Sequence, residues 1–151
     1  MRINKKKLIE DFKKHLKEEN LKYTPQREEI LKEVLSTKTH FEVEDIVHKL
    51  KNKKKSVSRA TVYRTLTILK NMGIIAEVIK YKNKTIYEIG LKEHHDHLIC
   101  VNCGKIIEFS NKKIEELQDK ICSKYKFHPY SHRLEIYGLC NECFTKKNKE
   151  T

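Results

Sequence analysis

The sequence predicts an α+β chain in two parts: helices closed by a hairpin, then a small α/β unit that carries metal ligands. Three observations support this. Apolar residues recur at helical spacing up to Met72, and from Ile74 the period changes to that of strands before a further helical stretch. Charge is uneven: residues 1–84 hold 22 Lys/Arg against 11 Asp/Glu, whereas residues 85–151 hold 11 against 10. The clusters of metal-ligand side chains fall in the second, nearly neutral part, in the run His94 to Cys103 and in Cys140-Asn141-Glu142-Cys143.

In chain order, residues 4–19 read as a first helix, with Leu8, Ile9, Phe12 and Leu16 on one stripe and Asn20 as its stop. Thr24-Pro25 opens a second helix, because Thr caps well and Pro at the first position gives up an N–H that lacks a partner anyway. Its stripe is Ile30, Leu31, Val34 and Leu35, and Ser36 to His40 is a polar break. A third helix runs from about Val43 to Lys51, followed by the basic loop Lys51 to Lys55. Ser58 caps a fourth, Arg59 to Met72, which Gly73 ends. Val62, Leu66 and Leu69 form its inner face, and Arg59, Thr61, Arg64 and Thr65, with Tyr63, are expected on its outer face. Ile75 to Lys80 and Thr85 to Ile89 read as strands joined at Lys82-Asn83-Lys84.

That order matches a winged helix-turn-helix, in which the fourth helix enters the DNA major groove and the basic-tipped hairpin lies along the backbone. The second part reads strand, helix, strand. His97 to Phe109 is extended apart from a turn at Cys103-Gly104. Asn111 caps a helix to about Tyr125 with Ile114, Leu117, Ile121 and a buried Cys122 on its apolar face, and His132 to Leu139 is a further strand. Such a unit has few residues for its own core, so a second copy is expected to cover it. The predicted fold class is therefore α+β: an N-terminal winged helix-turn-helix domain over residues 1–89, a hinge at 90–93, and a small α/β dimerisation domain with structural zinc over 94–144. A disordered tail is expected at 145–151.

A chain of 151 residues with net charge +12 suits a nucleic-acid partner, and the charge lies where the helices are. No apolar run is long enough to span a membrane, and the basic start, Met1 to Lys7, is followed by charged residues rather than an apolar core. A soluble cytoplasmic protein with reduced thiols and no membrane partner is expected. Five cysteines leave one over after pairing, which argues for metal rather than disulfides.

Cys100-x-x-Cys103 and Cys140-x-x-Cys143 each supply half of a tetrahedral sulfur site. The imidazole and carboxylate run is a different donor type, suited to iron, manganese or zinc. In a strand, alternate residues face opposite ways, so His95 and His97 can share one face while His94 and Asp96 share the other. Partners must come from elsewhere in the chain: Glu88, Glu108 and His40 are candidates, with Glu115 and His132 for the other side. If His40 joins ligands from the neutral half, metal sets the angle between the halves and hence, in a dimer, the spacing of two recognition helices.

Four stretches carry a resemblance: Lys22-Tyr23-Thr24-Pro25-Gln26-Arg27, Ala60-Thr61-Val62-Tyr63-Arg64-Thr65-Leu66, His94 through Phe109, and Cys140-Asn141-Glu142-Cys143. Together they resemble the ferric uptake regulator family, over about residues 8 to 144. The resemblance implies a homodimeric, metal-dependent transcriptional repressor that binds AT-rich inverted-repeat operators in double-stranded DNA, with room for a higher oligomer on DNA. It implies structural Zn2+ on Cys100, Cys103, Cys140 and Cys143. It implies a regulatory site of His40, Glu88, His95, His97 and Glu108, and an additional site of His94, Asp96, Glu115 and His132. It implies Tyr63 and Arg64 in the major groove and Lys22 in the minor groove. Glu88 and Glu108, where the peroxide-sensing branch typically carries Asp, look like the iron-responsive branch, so Fe2+ is the expected signal, with Mn2+ or Zn2+ as substitutes.

The alternatives are peroxide, zinc or manganese sensing within the same family, a zinc hydrolase using the His/Asp cluster, and a cysteine redox switch. No H-E-x-x-H pattern, and no H-x-E with P-C-x-x-C, is present, so an enzyme is not expected.

Overall fold

Short polar side chains fix where the helices begin. In the computed structural model, which describes residues 4–81, 83–90 and 94–150, Asn4 accepts from the Lys7 N–H at 3.2 Å and opens α1 (Lys5–Glu18). Thr24 accepts from the Arg27 N–H at 3.3 Å and opens α2 (Pro25–Ser36). At α3 (Val43–Asn52) the direction is reversed: the Glu42 N–H donates to the Asp45 carboxylate at 2.7 Å. Ser58 accepts from the Thr61 N–H at 3.1 Å and opens α4 (Arg59–Asn71). Each contact satisfies an N–H that a helix start leaves without an intrahelical partner. Gly73, at φ +74°, takes the left-handed conformation that ends α4.

The chain divides into two compact units, Met1–Lys92 and Glu93–Thr151. In the first, the four helices and a hairpin share one core: Phe12 and Leu16 from α1, Ile30, Leu31 and Val34 from α2, Ile46 and Leu50 from α3, and Val62, Leu66 and Leu69 from α4. Strands β1 (Ile75–Tyr81) and β2 (Lys84–Ile89) pair antiparallel with Ile75 opposite Ile89, and a register irregularity lies between Glu77 and Ile79. Asn83 at the tip sits at φ 62°. Lys82 of the expected turn, Leu91 to Glu93 of the expected hinge, and residues 1–3 of the basic start lie outside the described residues.

In the second unit, β3 (Asp96–Cys100) is the centre of a three-stranded sheet of order β4-β3-β5. It pairs antiparallel with β4 (Ile106–Phe109) and parallel with β5 (Glu135–Gly138). Helix α5 (Lys112–Lys124) is opened by Asn111, whose side chain accepts from the Lys113 N–H at 3.0 Å. Helix α6 (Asn141–Lys149) follows the second cysteine pair.

Four expectations need correction. Residues 145–149, expected as a disordered tail, continue α6; Lys146, Lys147 and Lys149 in its last turn face the negative end of the helix dipole. Residues 132–134 lie ahead of β5 rather than in it, and there the His132 ring meets His94 with centroids 4.2 Å apart. Thr65, expected outside, is 0 % exposed, and its hydroxyl donates to the Thr61 carbonyl at 2.8 Å, which offsets its burial cost within α4. Cys122 is only partly buried, as no α5 residue is buried in a single chain: Leu117 and Ile121 are 58 % and 59 % exposed.

Candidate metal centres and nucleic-acid interface

The sulfur site is assembled from two turns. After β3, the Gly104 N–H donates to the Cys100 carbonyl at 2.9 Å, and Gly104 takes φ +76°, so the chain folds back on itself between Cys100 and Cys103. The second pair straddles a helix start: Cys140 is the N-cap of α6 and Cys143 lies in its first turn. A helix N-terminus favours negative charge, so thiolates are at home there. All five cysteines are free, and the four thiols of the two pairs lie within 4.8 Å of one another. Cys103 Sγ and Cys140 Sγ are 3.8 Å apart, far beyond a disulfide bond of about 2.0 Å. A separation near 3.8 Å is the edge of a tetrahedron whose centre lies about 2.3 Å from each sulfur, the usual Zn–S distance. The donor set therefore fits zinc.

Hydrogen bonds divide the thiols electrostatically. The Cys103 and Cys140 backbone N–H groups hold the Cys100 thiol down, to about 6. The Lys105 N–H also favours the Cys103 thiolate, but the crowding of Cys100 and the other thiols outweighs it and pushes Cys103 up to about 11. Four close thiols cannot all ionise without a cation between them. Two further contacts reach this site. The Asn102 side-chain amide donates to Cys143 Sγ at 3.2 Å, and Lys105 pairs with Glu142 at 3.1 Å, linking the two cysteine turns.

A second donor cluster lies in the same unit. His94 Nε2 is 3.2 Å from Asp96 Oδ1 and 3.4 Å from Glu115 Oε1, and His132 Nε2 is 3.3 Å from Glu115 Oε2. Asp96 is 1 % exposed, and its Oδ2 is buried without a hydrogen-bond partner among the described residues. A buried carboxylate oxygen of that kind is costly unless a cation completes it. All four residues expected for the additional site are therefore brought together.

The remaining nitrogen and oxygen donors fall into two groups, one per unit. In the first unit, His40 Nε2 lies 3.2 Å from Glu88 Oε2. The contact is set by a β-bridge between the adjacent residues: the Phe41 N–H donates to the Tyr87 carbonyl at 2.9 Å and the Tyr87 N–H returns the bond at 2.8 Å. The two rings stack at 5.8 Å, so a core contact aims the ligand pair. In the second unit, His95 Nε2 is 3.6 Å from Glu108 Oε1, the His95 and His97 rings meet at 4.9 Å, and His97 is directly opposite Glu108 in the β3–β4 ladder. On the other side His97 is opposite Glu135. Burial pushes that carboxyl up, but the Tyr137 hydroxyl and Arg133 outweigh it and hold Glu135 below the usual carboxylate range.

On the first unit, Tyr63 is 58 % exposed and Arg64 is exposed beside it on α4. Arg59 is exposed but ion-paired with Glu44 on α3, and the Thr61 hydroxyl is 2.8 Å from the Ser58 hydroxyl at the cap. An open groove is lined by Lys22, Arg27, Ser58, Thr61 and Arg64, among others. The connector before α2 and the start of α4 thus face the same space. Arg27 was not among the residues expected to act here, yet its Nη1 donates to the Lys22 carbonyl and holds the connector in place. In sequence it reads as one more polar residue in the first turn of a helix, and only its presence in the Thr24-Pro25-Gln26-Arg27 run hinted at more. No helix among the described residues is long and apolar enough to cross a membrane.

Known proteins resemble this chain along most of its length. A family model described as the ferric uptake regulator family matches residues 18–137. The ferric uptake regulation protein of Campylobacter jejuni is 40 % identical over 144 residues, covering 94 % of this chain and 92 % of that protein. The structure of the Helicobacter pylori ferric uptake regulator, described as having three functional metal binding sites, superposes with a TM-score of 0.84 at 36 % identity, covering 95 % of this chain and 97 % of that one. The iron-bound ferric uptake regulator of Francisella tularensis superposes with a TM-score of 0.73 at 37 % identity, covering 82 % and 95 % respectively.

Proposed function

The chain belongs to the ferric uptake regulator family and is a metal-responsive regulator of transcription, and we propose that its signal is iron(II) and that it represses by binding AT-rich inverted repeats as a homodimer. Residues 1–89 form the DNA-binding domain, with Lys22, Arg59, Thr61, Tyr63 and Arg64 at the interface. Residues 94–144 form the dimerisation domain. Cys100, Cys103, Cys140 and Cys143 hold zinc as a structural ion. His40, Glu88, His95, His97 and Glu108 form the regulatory site, and His94, Asp96, Glu115 and His132 an additional one. The cytoplasm, where thiols stay reduced, is the compartment this chemistry suits.

The observation that carries this reading is the division of nitrogen and oxygen donors. His40 and Glu88 are paired in one unit, while His95, His97 and Glu108 stand together in the other. Ligands drawn from both units onto one ion would fix the angle between them, and in a dimer that angle sets the spacing of the two α4 helices against the DNA repeat. Metal then raises DNA affinity by its preference for the matching arrangement, typically ~1–3 kcal/mol. The mixed imidazole and carboxylate set supports iron(II), as do the two glutamates and the iron-bound Francisella relative. Manganese(II) or zinc(II) can occupy the same donors.

The test is binding to a labelled AT-rich inverted repeat at fixed salt, after chelation has emptied all but the sulfur site. Iron(II), manganese(II) and zinc(II) are then added in turn. Iron(II) is expected to raise affinity at least ~10-fold, which is about 1.4 kcal/mol, and His40→Ala is expected to abolish the rise. A response to zinc(II) alone would reassign the signal and keep the switch. Binding that ignores every metal would end the gating reading.

A further inference from the structure

A side chain that is not itself a ligand donates a hydrogen bond into the sulfur site. Asn102 sits in the turn between Cys100 and Cys103, and its Nδ2 is 3.2 Å from Cys143 Sγ, a sulfur 41 positions further along the chain. A thiolate only accepts hydrogen bonds, so the amide nitrogen rather than its oxygen must face it. We propose that Asn102 is a positioning residue for the four-cysteine site: its amide locks Cys143 in place and draws charge off that sulfur, so that the four-thiolate set holds its ion inertly. This rests on the reading of the four cysteines as a zinc site.

Four thiolates around a dication leave an excess of two negative charges, which makes each sulfur basic and nucleophilic. A donor aimed at one sulfur reduces its attack on electrophiles. Lys105, two residues after Cys103, pairs with Glu142 beside Cys143 at 3.1 Å and so brings a cation to the same two turns. Cys143 lies in the first turn of α6 and is buried, so the sulfur that Asn102 reaches is held on the inner side of the site. The residue that reaches it comes from the other cysteine turn, so the contact also closes the site as a unit.

The experiment uses the full-length, zinc-loaded protein as wild type, Asn102→Ala and Asn102→Asp, the last nearly isosteric but presenting an anion to the sulfur. Iodoacetamide is added with a chromogenic zinc chelator; each attacking thiolate forms an S–C bond as iodide leaves, and that ligand is lost. Release rate and the order in which cysteines are alkylated, by mass spectrometry, are both read. Zinc release is expected to be about 10-fold faster in Asn102→Ala and faster again in Asn102→Asp, with Cys143 the first ligand alkylated in both. Equal rates in all three proteins overturn the proposal, as does faster release in which Cys143 is no earlier than the other ligands, the signature of a merely loosened turn. Zinc content after dialysis against a chelator separates the premise: wild type that retains no zinc sinks the zinc assignment and this inference together, whereas retained zinc with equal rates sinks the inference alone.

Discussion

At the scale of single residues, the protein's chemistry depends on which atom faces which. Cys140→Ser removes one corner of the sulfur tetrahedron, so the purified variant is expected to retain no zinc after dialysis and to melt well below wild type, since the metal's binding energy is folding energy. Ser58→Ala removes the oxygen that accepts from the Thr61 N–H at the start of α4. It is expected to lower stability by about 1 kcal/mol, read as a drop in the denaturation midpoint with an unchanged slope. Tyr87 gives a pH prediction. Burial, reinforced by Tyr63 and Glu77, raises its phenol above the ordinary value of 10.0. The unfolded chain then releases that proton at a lower pH than the folded one. The contribution is fully present below pH 10 and is lost as pH rises from there through the folded pKa. Tyr87→Phe keeps the ring on Phe41 and is expected to flatten the alkaline fall of the melting temperature while leaving neutral stability almost unchanged.

At the scale of elements, α5 stands out. Leu117 and Ile121 are exposed on a helix that is otherwise well capped and regular, and the three-stranded sheet of the same unit carries exposed Leu98, Ile107 and Ile136. The expected occupant of this face is a second copy of the chain. Leu117→Glu with Ile121→Glu is expected to give a monomer in sedimentation velocity with an unchanged far-ultraviolet spectrum, because neither residue belongs to the core of its own chain. Dimers of the double variant would show that the copies meet elsewhere. The elements also show what sequence can and cannot supply. Thr24, Ser58 and Asn111 mark helix starts in the sequence because capping is a local interaction over three residues, and the helices begin where those residues stand. The cysteine pairs are equally plain, because their spacing carries the chemistry. Helix α6 is hidden in the sequence because the charged composition of residues 145–149 resembles that of a tail. Thr65 was misplaced because helical spacing puts it near the edge of the inner stripe, where a hydroxyl that bonds its own helix can be buried. The Asn102 to Cys143 and Arg27 to Lys22 contacts depend on rotamers and on tertiary placement, which no periodicity encodes.

At the scale of the whole molecule, the charge split implies that DNA affinity falls steeply with salt and that the first 84 residues carry most of that dependence. Each phosphate contact contributes about −0.9 to the slope of log affinity against log salt on duplex DNA. Lys22→Ala is expected to make the slope about one unit shallower, measured by anisotropy across a salt series. An unchanged slope would remove Lys22 from the phosphate-facing surface. Strand β3 leads to a consequence of another kind. Residues 94 to 97 send their side chains alternately to opposite sides, so one short segment feeds two ligand sets at once. Its frame matters as much as its letters. A lone residue inserted or deleted next to Asp96 would turn His94 away from Asp96 and His95 away from His97, breaking both sets at a stroke, whereas a substitution spoils only one.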